Sequence, residues 1–154
     1  MTSKQGGSKG MSESTLFAYG TLMFPDLLEA VVGRKIDAQP AELHDYARAI
    51  LRGRTYPALA EFAGATTRGM LLRGIDAKTW RKLDAYEGPE YVRAALEVWT
   101  SDGESQHAQV YLLKPEHRGM LTAEPWDPES WRRAYEAQAR SSGSDVRRDL
   151  KQDE

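Results

Sequence analysis

The chain has 154 residues, 40% of them apolar, and a net charge of −2 with acids and bases interspersed. That suits one domain around one core, and it leaves no broad basic surface for nucleic acid or an anionic membrane. Cysteine is absent, which excludes disulfides, thiolate nucleophiles and cysteine-ligated metals.

No apolar run approaches the roughly 20 residues needed to cross a bilayer. Residues 1–14 are polar, rich in glycine and serine, and lack the apolar stretch of a secretion signal. They read as a disordered extension with almost nothing to bury. The polar segment 141–154 reads as a mobile tail, which leaves 15–140 as the folded domain. A cytoplasmic monomer is expected, because no long apolar surface stripe is left unassigned.

Thr15 to Tyr19 forms a short, mostly apolar strand ended by Gly20. Pro25 opens a helix with Leu27, Leu28, Val31 and Val32 on one face and Gly33 as its stop. Ile36 to Leu51 has irregular apolar spacing and room for two strands. Arg68 to Ile75 reads as a further strand. Asp76 can cap a helix, with Ile75 and Trp80 spaced as a hydrophobic staple. From Tyr91 to Trp99 the pattern alternates, with Val92, Ala94, Leu96 and Val98 on one face. Asp102-Gly103 supplies a hairpin turn. The returning strand, Gln106 to Leu113, puts Ala108, Val110 and Leu112 on one face and Tyr111 on the other. Asp127 can cap a last helix, with Pro128 in its first turn and Trp126 and Trp131 as staple. Hairpin-linked strands with helices at the edges indicate an α+β fold with a curved or barrel-like sheet.

On the helix from Asp76 to about Glu87, a count at ~100° per residue puts Ala77, Trp80, Leu83 and Tyr86 on one stripe. Lys78, Arg81 and Lys82 fall opposite. Glu87 projects into the middle of the apolar stripe, while Asp84 lies off its centre as a partly exposed acid or local cap. Burial and the helix C-terminus both disfavour a charged carboxylate, so both raise its pKa. That tuning suits a general acid/base near neutral pH. The count alone leaves a second reading open, in which the helix ends early and Glu87 points to solvent. The turn Tyr19-Gly20-Thr21-Leu22 is similarly two-sided. Its amides can bind a carboxylate or an oxyanion, yet by itself it is a glycine turn like many others.

The ordered set of segments decides more than any one of them. Phe17-Ala18-Tyr19-Gly20-Thr21-Leu22 is followed by Tyr56-Pro57-Ala58 and Gly69-Met70-Leu71. Leu83-Asp84-Ala85-Tyr86-Glu87-Gly88, Tyr91-Val92-Arg93 and Ala108-Gln109-Val110-Tyr111 come next. In this order and spacing they resemble the gamma-glutamylcyclotransferase-like family, and within it the AIG2-like branch. Trp126-Asp127-Pro128-Glu129-Ser130-Trp131-Arg132-Arg133 is similar to the C-terminal helix of that branch. The likeness runs from Leu16 to about Arg140.

The resemblance implies an α+β fold, a small mixed β-barrel flanked by helices. It implies that Tyr19, Gly20, Thr21 and Leu22 line the site for a small-molecule γ-glutamyl substrate, that Glu87 is the acid/base, and that Tyr111 contacts substrate. The implied activity cyclises a γ-glutamyl amine or peptide to 5-oxoproline, an acyltransferase- or amidine-lyase-type reaction without metal or organic cofactor. One departure concerns the pocket. Several branches carry an asparagine or a second glycine soon after the turn, where this chain continues Met23-Phe24-Pro25-Asp26, so the substrate stays open.

Other readings stand beside this one. A γ-glutamyl acyltransferase could use another acceptor, and a non-catalytic module could keep the pocket to sense a metabolite. A glycosidase built on Glu87 and Glu90 has no second motif behind it. Tyr56-Pro57 reads as an extended turn at the barrel rim, and Arg93 as the partner of a nearby acid. His44, His107 and His117 lack metal-ligand spacing. Arg52-Gly53-Arg54 is too short to argue for nucleic acid.

Overall fold

The computed structural model describes residues 13–142. Of the expected extension, residues 1–12 lie outside the described residues, as do residues 143–154 of the expected tail.

Strand β1 (Leu16–Ala18) pairs antiparallel with β3 (Pro57–Arg73) and parallel with β5 (Ser105–Leu113). β5 forms a hairpin with β4 (Tyr91–Thr100), and β4 pairs with the first half of β2 (Asp37–Leu51). β2 returns antiparallel along β3, which closes a ring of five strands. The far half of β2 carries β6 (Leu121–Pro125). Closure leaves the five ring strands no bare edge along their paired lengths. Helix α1 (Pro25–Val32) and helix α2 (Ala77–Glu87) supply apolar residues to a layer outside the ring, and helix α3 (Pro128–Ser142) follows β6.

Side chains alternate between the two sides of each strand. Phe17, Leu43, Leu71, Val98 and Val110 belong to one cluster, which fills the barrel, and each is at most 2% exposed. Their neighbours Leu16, Leu72 and Tyr111 join Leu28, Val32, Trp80 and Leu83 in a second cluster under the helices. β1 is therefore buried on both faces, which explains why it reads as a continuous apolar run. Each fully buried Leu or Phe stabilises the fold by about 1.5–3 kcal/mol relative to exposure. Gly69 on β3 has no substitute of larger size, since a Cβ there would collide with the Ala18 carbonyl oxygen and the Phe17 ring.

Four sequence expectations need correction. The segment 36–51 is not two strands but one, kinked where the register shifts between His44 and Tyr46. Asp45 takes φ 69° there, and its carboxylate accepts a hydrogen bond from the Gly64 N–H at 2.9 Å. A bulge changes which residues face inward. Leu43 and Tyr46, three apart, thus both reach the interior cluster, which is why the spacing reads as irregular. β3 begins at Pro57 rather than near Arg68, because its first half pairs with β2 although it crosses the exposed stretch 61–64. Val92 is 47% exposed despite lying on the alternating face, at the open end of the hairpin opposite Leu112. Ala77 is also exposed, so the buried face of α2 centres on Thr79, Trp80 and Leu83.

The start signals of the helices read true. Asp76 accepts from the Thr79 N–H at 2.9 Å, and Asp127 from the Ser130 N–H at 2.8 Å. Gly33 ends α1 in the left-handed region at φ 85°. Among the described residues no helix is long and apolar enough to cross a membrane.

Candidate active site

β1 delivers Tyr19 to the barrel rim, where the chain turns through Gly20 into a single 3-10 turn, Thr21–Met23. The Met23 N–H closes that turn on the Gly20 carbonyl at 3.0 Å. The first amides of such a turn have no acceptor within it. Gly20 has φ −119°, outside the left-handed region, so chain reversal does not demand a glycine here. A Cβ here would rest in ordinary contact, 3.4 Å from the Pro57 ring, so neither φ nor space demands a glycine at this position.

This turn forms one wall of a narrow pocket, partly open to solvent. Glu87, Tyr91, Tyr111, Tyr56 and Pro57 line it as well. Helix α2 continues through Glu87 and stops at Gly88, whose N–H donates to the Asp84 carbonyl at 3.1 Å. Glu87 is therefore helical and half-buried, and its carboxylate belongs to the pocket wall. All six residues singled out in the sequence, Tyr19, Gly20, Thr21, Leu22, Glu87 and Tyr111, come together here.

Three phenols in the wall already donate their protons elsewhere. Tyr19 donates to the Tyr111 carbonyl at 2.5 Å, Tyr91 to the Pro57 carbonyl at 3.0 Å, and Tyr111 to Asp84 Oδ1 at 2.6 Å. Burial is the main reason each phenol pKa is pushed well above its ordinary value. The Glu87 charge adds to that push in all three, and the Asp84 hydrogen bond adds to it at Tyr111. All three therefore stay protonated through neutral and mildly alkaline pH. Glu87 is the only carboxylate among the lining residues. The Thr21 hydroxyl lies 2.9 Å from the Tyr86 hydroxyl and ties the turn to the end of α2.

Several contributors went unread in the sequence. Asp84 accepts the Tyr111 proton and also pairs with Arg93 at 3.1 Å, while Arg93 sits 4.2 Å over the Trp80 ring. The acid pairing expected for Arg93 is thus present. The signal for Asp84 was its place one turn before Glu87. Tyr91 was marked by strand alternation and by its place in the segment Tyr91-Val92-Arg93, but no site role was read for it. Arg48 on β2 donates to the Tyr19 and Arg68 carbonyls, each at 3.0 Å, and nothing in its local sequence announced this. His44 stacks on Trp99 away from the pocket. Among the described residues no three His, Asp or Glu side chains converge to hold a metal ion.

Comparisons with known proteins place the chain in a family and match its fold. A family model described as gamma-glutamyl cyclotransferase, AIG2-like, matches residues 16–133. The chain belongs to that family. AIG2-like protein C of Arabidopsis thaliana is 32% identical over 124 residues, covering 80% of this chain and 72% of the relative. Protein AIG2 B of the same plant is 30% identical, with coverages of 78% and 71%. Among solved structures, a solution structure from Arabidopsis thaliana superposes with a TM-score of 0.66 at 25% identity, over 84% of this chain and 79% of that one. A structure named gamma-glutamyl cyclotransferase superposes with a TM-score of 0.60 at 18% identity over 66% of each chain, a likeness of fold alone. The AIG2-like family thus accounts for the mixed β-barrel flanked by helices.

Proposed function

We propose that this AIG2-like protein is a gamma-glutamylcyclotransferase that converts a γ-glutamyl amine or peptide into 5-oxoproline and the free amine. One observation carries the reading: the Glu87 carboxylate and the glycine turn 19–22 line the same pocket. In this reading the substrate's α-amine attacks its own γ-carbonyl, and the bond to the leaving nitrogen breaks as the five-membered ring closes. Both reacting groups sit on one molecule, so holding the folded conformer supplies much of the acceleration. Glu87 takes the proton from the attacking nitrogen and returns it to the leaving one. The turn amides stabilise the oxyanion between these steps. Tyr111, its hydroxyl proton engaged by Asp84, turns its oxygen lone pairs to the substrate as acceptor. The reaction balances without a cofactor, and the partner is a small γ-glutamyl molecule rather than nucleic acid or membrane.

The test is a panel of γ-glutamyl amino acids and γ-glutamyl amines with 5-oxoproline as readout, repeated with Glu87→Gln. Turnover by the wild type that disappears in the variant supports the proposal. Tight binding of a γ-glutamyl compound without turnover would favour a metabolite sensor. Transfer of the glutamyl group to an added acceptor would favour an acyltransferase. Equal activity of Glu87→Gln and wild type would remove Glu87 from the mechanism.

A further inference from the structure

Arg48 lies three residues past the Asp45 bulge, where the change of inward face brings its side chain beneath the start of the glycine turn. Its Nη1 carries two hydrogens and faces two carbonyl oxygens, Tyr19 and Arg68, each at 3.0 Å, with the Met23 sulfur at 3.5 Å. These carbonyls stand where β1 leaves β3, one residue past Ala18 and two before its partner Met70. The guanidinium closes the ladder at the point where the strands part. Trp126 packs on it at 5.6 Å, and the Trp126 ring is itself buried and donates to the Thr55 carbonyl at 3.0 Å. Burial lowers the Arg48 pKa, opposed by the charge of Asp127.

A peptide unit is planar and trans, so its C=O and N–H point in opposite directions. Gripping the Tyr19 oxygen therefore also sets the Gly20 N–H, which belongs to the same peptide. Gly20 lines the pocket and Arg48 does not. We propose that Arg48 is a positioning residue, whose grip on the Tyr19 carbonyl holds the Gly20 N–H in the direction that serves the substrate. The proposal rests on the cyclotransferase reading above, but it concerns a residue outside the pocket. Lysine reproduces this geometry poorly, because its ammonium sits on a shorter, flexible stem and has no planar face to lay on the Trp126 ring.

Arg48→Lys, Arg48→Gln and Arg48→Ala are made in the full chain and assayed with the best substrate of the panel. Loss of a precise donor direction lowers kcat by about tenfold to a hundredfold, with kcat falling more than KM rises. Millimolar guanidinium, far below denaturing concentrations, restores part of the kcat of Arg48→Ala. A purely structural residue would lower the melting temperature and leave kcat per folded molecule unchanged. The Gly20 amide provides a second measurement that does not depend on turnover: its ¹H–¹⁵N signal shifts and its hydrogen exchange speeds up in Arg48→Gln, while Gly103 on the distant hairpin stays as in wild type. If the wild type turns over no substrate, the functional reading fails and this NMR result alone judges the clamp. Folded Arg48→Gln with an unchanged Gly20 amide, or with wild-type kcat, overturns the proposal.

Discussion

Helices α2 and α3 begin alike and end differently. Each has an aspartate cap accepting from the amide three residues on, and each has an apolar pair flanking that cap. In α2 the pair Ile75 and Trp80 sinks into the layer between barrel and helices, and Leu83 follows it to full burial. In α3 Trp126 is buried, but Trp131 stays half-exposed, and no residue described from Pro128 onward is fully buried. α3 is held instead by a stack of Trp131 on Phe24 at 5.8 Å and by both oxygens of Asp26 on Arg132. The start signal thus tells where a helix begins. What its far end can do depends on the surface that receives it. Seating α2 on the barrel fixes its last residue, Glu87, in the pocket, whereas α3 braces the outside of α1.

The largest effect should come from the end of α2. Glu87→Gln is expected to lower 5-oxoproline formation by about 10²–10⁴-fold while the melting temperature stays near wild type. A stable variant with full activity would erase the functional half of the contrast. Leu83→Ala, under the same helix, should destabilise the fold by about 2–5 kcal/mol through the cavity it leaves, read as a shifted urea midpoint. The matching change on α3, exposed Ala134→Gly, should cost no more than about 1 kcal/mol. Equal costs for the two would show that α3 is as much a part of the core as α2.

The smallest effect concerns the ion pair that docks α3. Hydrogen bonds from Arg132, and secondarily its charge, hold the Asp26 carboxyl below its ordinary value. A carboxyl depressed in the folded state adds stability above its unfolded pKa, about 3.9, and loses it as pH falls through the lower folded value. Asp26 is exposed, so solvent screening limits the pair to under about 1 kcal/mol. Asp26→Asn should therefore melt slightly below wild type at pH 7, and the gap should close as the solution is acidified below the carboxylate range. A gap that persists in acid would mean that Asp26 acts through packing rather than charge.

Helix caps, the hairpin turn at Asp102-Gly103 and the alternation of β4 and β5 were legible because each depends on neighbours within a few residues. The face count on α2 found Trp80 and Leu83 for the same reason, although Ala77 of its stripe is exposed and Glu87 is half-buried. β2 resisted, because one bulge at Asp45 changes its inward face and no local rule marks where that happens. Tyr91 and Asp84 stood in the segments that carry the family likeness, but with no part in the site beyond a strand residue and a helix acid. Their parts emerge when β4, β5 and α2 meet.

Chain-local chemistry therefore determined which elements form and which side chains carry reactive groups: the apolar strand running into Tyr19-Gly20, the helix bearing Glu87, and Tyr111 on its strand. Closure of the barrel decided the rest. It brings β1, α2 and β5 to a single rim and directs the Tyr111 hydroxyl to donate its hydrogen bond to Asp84. It also sets Arg48 against a carbonyl 29 residues away. Contacts between distant segments follow from strand register and from burial of two apolar faces at once, and those are properties of the assembled sheet rather than of any stretch of sequence.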